Sequence, residues 1–216
     1  MTRPRLRLVL AVSLDGRLAP AEGGAAQLGG KGDRRVLEES LAWADAVLLG
    51  AETLRLHGTS CLIHQPDLLR QRRARGLPPQ PPVAVWSRSG QFAPQLPFFQ
   101  QPFERWLLLP SSPPPAAAVS GFDRVIPFAD WPATLSALAT LRVERLAVLG
   151  GARLAASLVA AQALDELHLT LCPRLLGGGH DWLPTDAPGD PATPWTLRRA
   201  EPLAGGEILL LYERGS

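Results

Sequence analysis

Cysteine is scarce in this chain. Its two copies, Cys61 and Cys172, stand far apart and form no Cys-x-x-Cys. That excludes a disulfide framework and a redox pair, and it fits a protein of the reducing cytoplasm. Net charge is also small, with 22 Lys and Arg against 20 Asp and Glu. A nucleic-acid footprint would need basic residues gathered on one face, so no nucleic-acid partner is expected. Long apolar runs are missing. Met1 to Val12, with Arg3, Arg5 and Arg7, imitates a secretion signal, but the run is short and meets Asp15-Gly16-Arg17 where a cleavage region should be. No later segment approaches the length of a membrane span, so no membrane partner is expected either. No internal repeat is visible.

What is present is enough for a folded protein. The 216 residues can bury a sizeable core without disulfides or metal. The 22 prolines cluster at Pro78 to Pro82, Pro110 to Pro115 and Pro184 to Pro194, and read as stiff connections inside a fold. Leu6 to Val12 passes from alternating to continuously apolar, as a strand does on entering the middle of a sheet. Ala19 to Gly32 holds five glycines within ten residues and reads as a mobile loop. Asp33 is expected to N-cap a helix from Arg34 to about Ala44. Ala46 to Leu49 reads as a buried strand, Val83 to Trp86 and Trp106 to Leu109 as short strands, and Val125-Ile126 as a candidate for a further short one. Pro66 to Arg75 reads as a helix whose Arg70, Arg72, Arg73 and Arg75 form a solvated face. Asp130-Trp131-Pro132 starts a helix ending near Leu141.

The most informative stretch is Leu146 to Gly179, read as strand, glycine turn, helix and strand. Leu146 to Leu149 ends in Gly150-Gly151, and Ala152 to Ala163 carries Leu154, Leu158 and Ala161 at helical spacing. Bare N–H groups at such a helix start bind anions, a phosphate above all, unless the glycines are only a tight connection. No Gly-x-Gly-x-x-Gly follows the strand, which excludes the Rossmann fingerprint. In the following strand Leu167, Leu169 and Leu171 share one face and His168, Thr170 and Cys172 the other. Trp195 to Arg199 and Ile208 to Arg214 then read as an antiparallel pair around Gly205-Gly206. The pattern predicts an α/β protein, one mixed, mostly parallel sheet flanked by helices and closed by a C-terminal antiparallel pair, with residues 1–216 as a single domain.

Two further strand ends repeat the anion-binding pattern. Gly50-Ala51-Glu52-Thr53-Leu54-Arg55 begins a helical turn carrying a hydroxyl. Ser87-Arg88-Ser89-Gly90 puts a hydroxyl and a guanidinium after a strand, which suits a phosphate monoester or is only a polar turn. Asp15 either forms an Asx-type turn with Gly16 or faces a cleft from a strand end. His57, Cys61 and His64 have spacings a metal can use. Without a Cys-x-x-Cys or His-Glu-x-x-His beside them, no metal is expected.

Read together, Ala11-Val12-Ser13-Leu14-Asp15-Gly16-Arg17, Asp33 through Gly50-Ala51-Glu52-Thr53-Leu54-Arg55, and Leu149-Gly150-Gly151 through Gly177-Gly178-Gly179 resemble the reductase domain of the riboflavin-biosynthesis deaminase-reductase enzymes, in a stand-alone form. That domain belongs to the dihydrofolate-reductase-like superfamily. The resemblance implies a dihydrofolate-reductase-like fold, NADPH as cofactor, and a homodimer. It places Gly50 and Thr53 along the cofactor and gives its 2′-phosphate to Ser87 and Arg88. Gly150, Gly151, Arg153 and Leu154 fall to the pyrophosphate and Ala11 to the nicotinamide, with Asp15 the retained polar group for substrate and catalysis. The implied reaction reduces the ribosyl group of 5-amino-6-(5-phosphoribosylamino)uracil to ribityl.

The chain departs from that family on the substrate side. Leu56, His57, Gly58 and Thr59 stand where an acidic pair and Pro are usual, and Leu149 replaces the Glu before the glycines. Glu38, Glu39 and Leu41 occupy a helix that often carries His and Arg. These changes leave room for two alternatives, an NADPH reductase of a pterin-like or other small heterocycle, and a nucleotide-binding paralogue without chemistry.

Overall fold

In a computed structural model, which describes residues 3–24, 28–110, 119–187, 189 and 193–215, the apolar runs form strands that end where the glycines and hydroxyls begin. Residues 25–27 of the glycine-rich stretch, the prolines at 113–115, and residues 188 and 190–192 of the last proline cluster lie outside the described residues. The chain forms two compact units, each discontinuous in sequence: Met1–Arg5 with Glu38–Ala147, and Leu6–Leu37 with Val148–Ser216.

In the first unit, β2 (Ala46–Gly50), β3 (Val83–Trp86), β4 (Arg105–Pro110) and β5 (Arg124–Phe128) pair in parallel in that order. β6 (Arg145–Val148) neighbours β2. All five residues of β2 are buried, as expected of a parallel strand covered on both faces. The register sets Gly50 opposite Trp86 and Trp86 opposite Leu108, so β2 and β3 finish together while β4 runs on to Pro110, opposite Phe128 at the end of β5. α2 (Ala51–His57) packs on β2 and β3, and α4 (Trp131–Thr140) packs on β5. Asp130 caps α4 as expected, its Oδ1 accepting the N–H of Ala133 at 2.7 Å.

In the second unit β1 (Arg5–Ser13) runs parallel to β7 (Glu166–Cys172), with Ala11 opposite Thr170 and Ser13 opposite Cys172. β7 pairs antiparallel with β9 (Ile208–Arg214), and β9 with β8 (Trp195–Pro202). Parallel and antiparallel pairings together make the mixed, mostly parallel sheet with a C-terminal antiparallel pair that the sequence predicts. α5 (Ala152–Ala160) buries Leu154, Ala155 and Leu158.

Two expectations need correction. α1 (Lys31–Trp43) starts before Asp33, so Asp33 is a first-turn residue and not the cap. The N–H groups of Gly30 and Asp33 instead donate to the Glu207 carboxylate, reaching Oε1 and Oε2 respectively. Glu207 is only 3% exposed. In α3 (Pro66–Ala74) the arginines are not one solvated face, because Arg72 is fully buried. Its guanidinium donates to the carbonyls of Leu41 at 3.1 Å, Ala44 at 2.6 Å and Pro78 at 2.8 Å. Those at Leu41 and Ala44 close α1, whose last carbonyls have no helical partner. Burial pushes the Arg72 guanidinium down to about 10, well above neutral pH, so it stays charged. Arg75 also reaches the carbonyl of Ala42 and, at 3.1 Å, Asp45.

Arg72→Met strands these carbonyls and is expected to lower unfolding free energy by about 3 kcal/mol or more, read as a shift of the urea midpoint. Arg70→Met, at an exposed position of the same helix, should change it by no more than about 0.5 kcal/mol.

Candidate functional site

The glycine turn before α5 is tightly packed and carries no side-chain cap. Gly150 and Gly151 take φ of 77° and 92°, values that side chains rarely adopt. A Cβ on Gly150 would stand 2.5 Å from Leu10 Cδ2, so β1 presses directly on the turn. Gly151 caps α5 without a side-chain hydrogen bond, which leaves first-turn N–H groups for a ligand. Leu154 is 1% exposed and its side chain faces the core. Only its backbone can serve a phosphate. Arg153 is exposed. Ala11 lies beside Thr170 in the register and is half-buried.

Asp15 follows β1 and has most of its acceptor capacity occupied. Its Oδ1 accepts the Ser13 hydroxyl at 2.5 Å and the N–H of Leu176 at 3.1 Å, and its Oδ2 accepts the N–H of Gly177 at 2.7 Å. Arg17 Nε stands 3.8 Å from Oδ2 and the same guanidinium pairs with Asp181. These donors, the Ser13 hydroxyl first and then the two N–H groups, hold the carboxyl at about 2, below its ordinary 3.8. It is ionised at neutral pH, able to orient a cation or accept a hydrogen bond but not to donate a proton. The loop it anchors leaves no room at Gly178, where a Cβ would lie 2.6 Å from Ala21 Cα. The glycine-rich stretch is thus held at its first part by Gly178 and by the Leu18 N–H on the His180 carbonyl, and at its last part by Glu207.

Near Ala11 the same unit gathers Asp33, Thr170, Cys172 and Glu207. Burial, with the Glu207 carboxylate, raises the Asp33 carboxyl against a hydrogen bond from Thr170. Burial and the neighbouring Glu207 and Asp33 push the Cys172 thiol up to about 11. That thiol is protonated and inert as a nucleophile. His168, packed 3.4 Å from Glu166 and lowered mainly by burial, is the strand residue expected.

In the first unit Gly50 is the N-cap of α2 and Thr53 is its third residue, half-buried. Ser87 is 3% exposed; its N–H donates to the Leu108 carbonyl and its Oγ accepts the N–H of Gly90 at 3.0 Å. Arg88 is exposed. The substrate-side replacements have structural work. Glu38 is 2% exposed, and its Oε2 accepts the N–H groups of His64 at 2.7 Å and Gln65 at 2.9 Å, just before α3. Leu41 is a core residue. His57 and His64 are exposed and Cys61 half-buried. Among the described residues no group of three or more His, Cys, Asp or Glu is arranged to hold a metal, and no helix is long and apolar enough to cross a membrane.

Sequence reasoning missed Glu207 and misassigned Glu38 and Arg72. Glu207 acts across 177 residues on Gly30, and no local signal marks any of the three.

The model of the RibD C-terminal domain matches residues 4–209. The chain belongs to the RibD C-terminal domain family. It is 26% identical over 187 residues to the 2,5-diamino-6-ribosylamino-4(3H)-pyrimidinone 5′-phosphate reductase of Methanothermobacter thermautotrophicus, covering 82% of this chain and 81% of that one. Its fold is that of a pyrimidine reductase-like protein from Corynebacterium diphtheriae, with a TM-score of 0.78 at 21% identity over 99% of this chain and 92% of the other. Dihydrofolate reductase from Enterococcus faecalis, complexed with NADP(H), aligns at a TM-score of 0.56 and 14% identity over 98% and 97% of the two chains. The family and the dihydrofolate-reductase-like fold read from the motifs are both confirmed.

Because the folded Asp15 carboxyl lies below its ordinary value, its contribution to stability is present above about pH 4 and is lost as pH falls through about 2. Asp15→Asn should melt lower than wild type at pH 7, and the two melting temperatures should converge as the pH approaches 2. Parallel curves across that window would remove the anchoring role.

Proposed function

We propose that this protein is an NADPH-dependent reductase of riboflavin biosynthesis, reducing the ribosyl group of 5-amino-6-(5-phosphoribosylamino)uracil to ribityl. The observation that carries the reading is the family match across residues 4–209, joined to a glycine turn whose crowding at Gly150 and uncapped helix start fit a pyrophosphate. The further assignments are a single reductase domain, a cytoplasmic location and a homodimer. A monomer in sedimentation at working concentration would remove the last.

When bound, NADPH supplies the hydride. The residues supply position. The N–H groups from Gly151 to Leu154 receive the pyrophosphate along the helix dipole, and the Arg153 side chain adds charge. The Ser87 hydroxyl would hydrogen-bond to the 2′-phosphate and Arg88 would add a guanidinium. Gly50 and Thr53 line the cofactor, and small Ala11 lets the nicotinamide approach β1. Asp15 keeps one Oδ2 acceptor direction for a substrate hydroxyl or amine.

A second reading, reduction of a pterin-like or other small heterocycle, is favoured by one observation. Glu38 is committed to backbone N–H groups and Leu41 to the core, so neither position offers the cation that a ribose phosphate would want. A paralogue without chemistry is the third. NADPH consumption with the aminouracil ribosyl phosphate separates them: turnover is expected, binding without turnover selects the second or third reading, and no binding ends all three.

Arg88→Ala should narrow the preference for NADPH over NADH by about tenfold or more, since a charge-assisted hydrogen bond contributes about 1.5 to 3 kcal/mol. Equal loss of both cofactors would take the 2′-phosphate away from Arg88.

A further inference from the structure

The first unit holds two aromatic clusters of different character. One is centred on Phe98, which is fully buried and stands 5.4 Å, centroid to centroid, from both Phe99 and Phe103. That cluster is core. The other joins Trp86, the last residue of β3, Phe128, the last residue of β5, and Trp131, the first residue of α4. Its centroids lie 5.5 Å apart for Trp86–Phe128, 5.4 Å for Trp86–Trp131 and 5.0 Å for Phe128–Trp131. Trp131 is 4% exposed and seals the back. Trp86 and Phe128 are only half-buried, so ring surface stays open at the carboxyl ends of the parallel strands, where ligands of open α/β sheets bind.

We propose that Trp86 and Phe128, backed by Trp131, form the platform on which the adenine ring of the cofactor stacks. The inference rests on the NADPH reading above and deepens it. On the adenosine half of NADPH the base and the 2′-phosphate are borne by neighbouring ribose carbons. A phosphate held at Ser87 and Arg88 therefore confines the base to the adjoining protein surface, and Trp86 is the adjoining residue. Trp86 ends β3 immediately before Ser87, so its indole stands at the same strand end as a phosphate held at Ser87 and Arg88. Tilted contacts of 51° to 75° hold the three rings rigid, and a pre-set aromatic surface loses little entropy when a flat base lands on it. Stacking needs no donor or acceptor from the protein. It accounts for adenosine affinity without a polar base-reading group, and leaves discrimination between NADPH and NADH to Ser87 and Arg88.

The test uses three ligands with the full-length protein: NADPH, adenosine 2′,5′-bisphosphate and the reduced nicotinamide mononucleotide. In wild type, the bisphosphate should bind and quench tryptophan emission. Trp86→Leu and Phe128→Leu should each weaken NADPH and the bisphosphate in parallel, by about tenfold for Trp86, while the mononucleotide binds as in wild type. Trp86→Phe keeps a stacking ring, so it should retain most of the affinity and lose most of the quench. If wild type binds NADPH while both leucine variants bind the bisphosphate as tightly as wild type, the platform is wrong and the NADPH reading survives. If wild type binds neither NADPH nor the bisphosphate, both fall. Loss of mononucleotide binding alongside the bisphosphate marks a general collapse of the leucine variants. The decision then passes to Trp86→Phe, whose unchanged quench would overturn the proposal.

Discussion

Each unit is held at its turns by side chains that satisfy backbone groups from far away in the sequence. A strand or helix that stops leaves N–H or C=O groups without partners, and burying them unpaired costs about 1 to 3 kcal/mol each. In the first unit Asp45 takes the N–H groups of Glu144 and Arg145, Glu38 takes those of His64 and Gln65, and Arg72 takes the carbonyls that end α1. In the second unit Asp165 takes the N–H of Leu6, Asp15 those of Leu176 and Gly177, and Glu207 those of Gly30 and Asp33. The strand ends can therefore finish in glycine and still be rigid.

That constraint explains why the ends suit a ligand. Where a charged side chain closes a turn, the turn is complete. Where none does, as at Gly151 before α5, the free N–H groups remain for an anion. The distribution of partnered and unpartnered ends is what separates closed turns from open ones. Asp15 anchors the loop after β7.

The departures on the substrate side acquire a physical meaning in this light. Glu38 is a buried carboxylate that organises the entry to α3, and Leu41 fills the core. Neither is a spare polar position waiting for substrate. The strand ends that the resemblance assigns to a cofactor keep the glycines, the Ser87 hydroxyl and the Arg88 guanidinium.

Much was legible in the amino-acid sequence. Short apolar runs ended by Gly or Ser marked β1, β2, β3 and β6, Asp130 and Pro132 marked α4, and the glycines at 150 and 151 marked the turn into α5. These features depend on bonds between near neighbours, so a local pattern carries them. The helix start at Asp33 and the four arginines of α3 were misread for the opposite reason. Their environment is made by Glu207, by the carbonyls of Leu41 and Ala44, and by Asp45, none of which is near in sequence. The amino-acid sequence by itself determined the elements, their order and the family. Only the tertiary structure decided that Leu154 can offer no more than backbone, that Asp15 is an anchored anion, and that Arg72 is buried. Burial and the choice of hydrogen-bond partner are set by which distant segments meet.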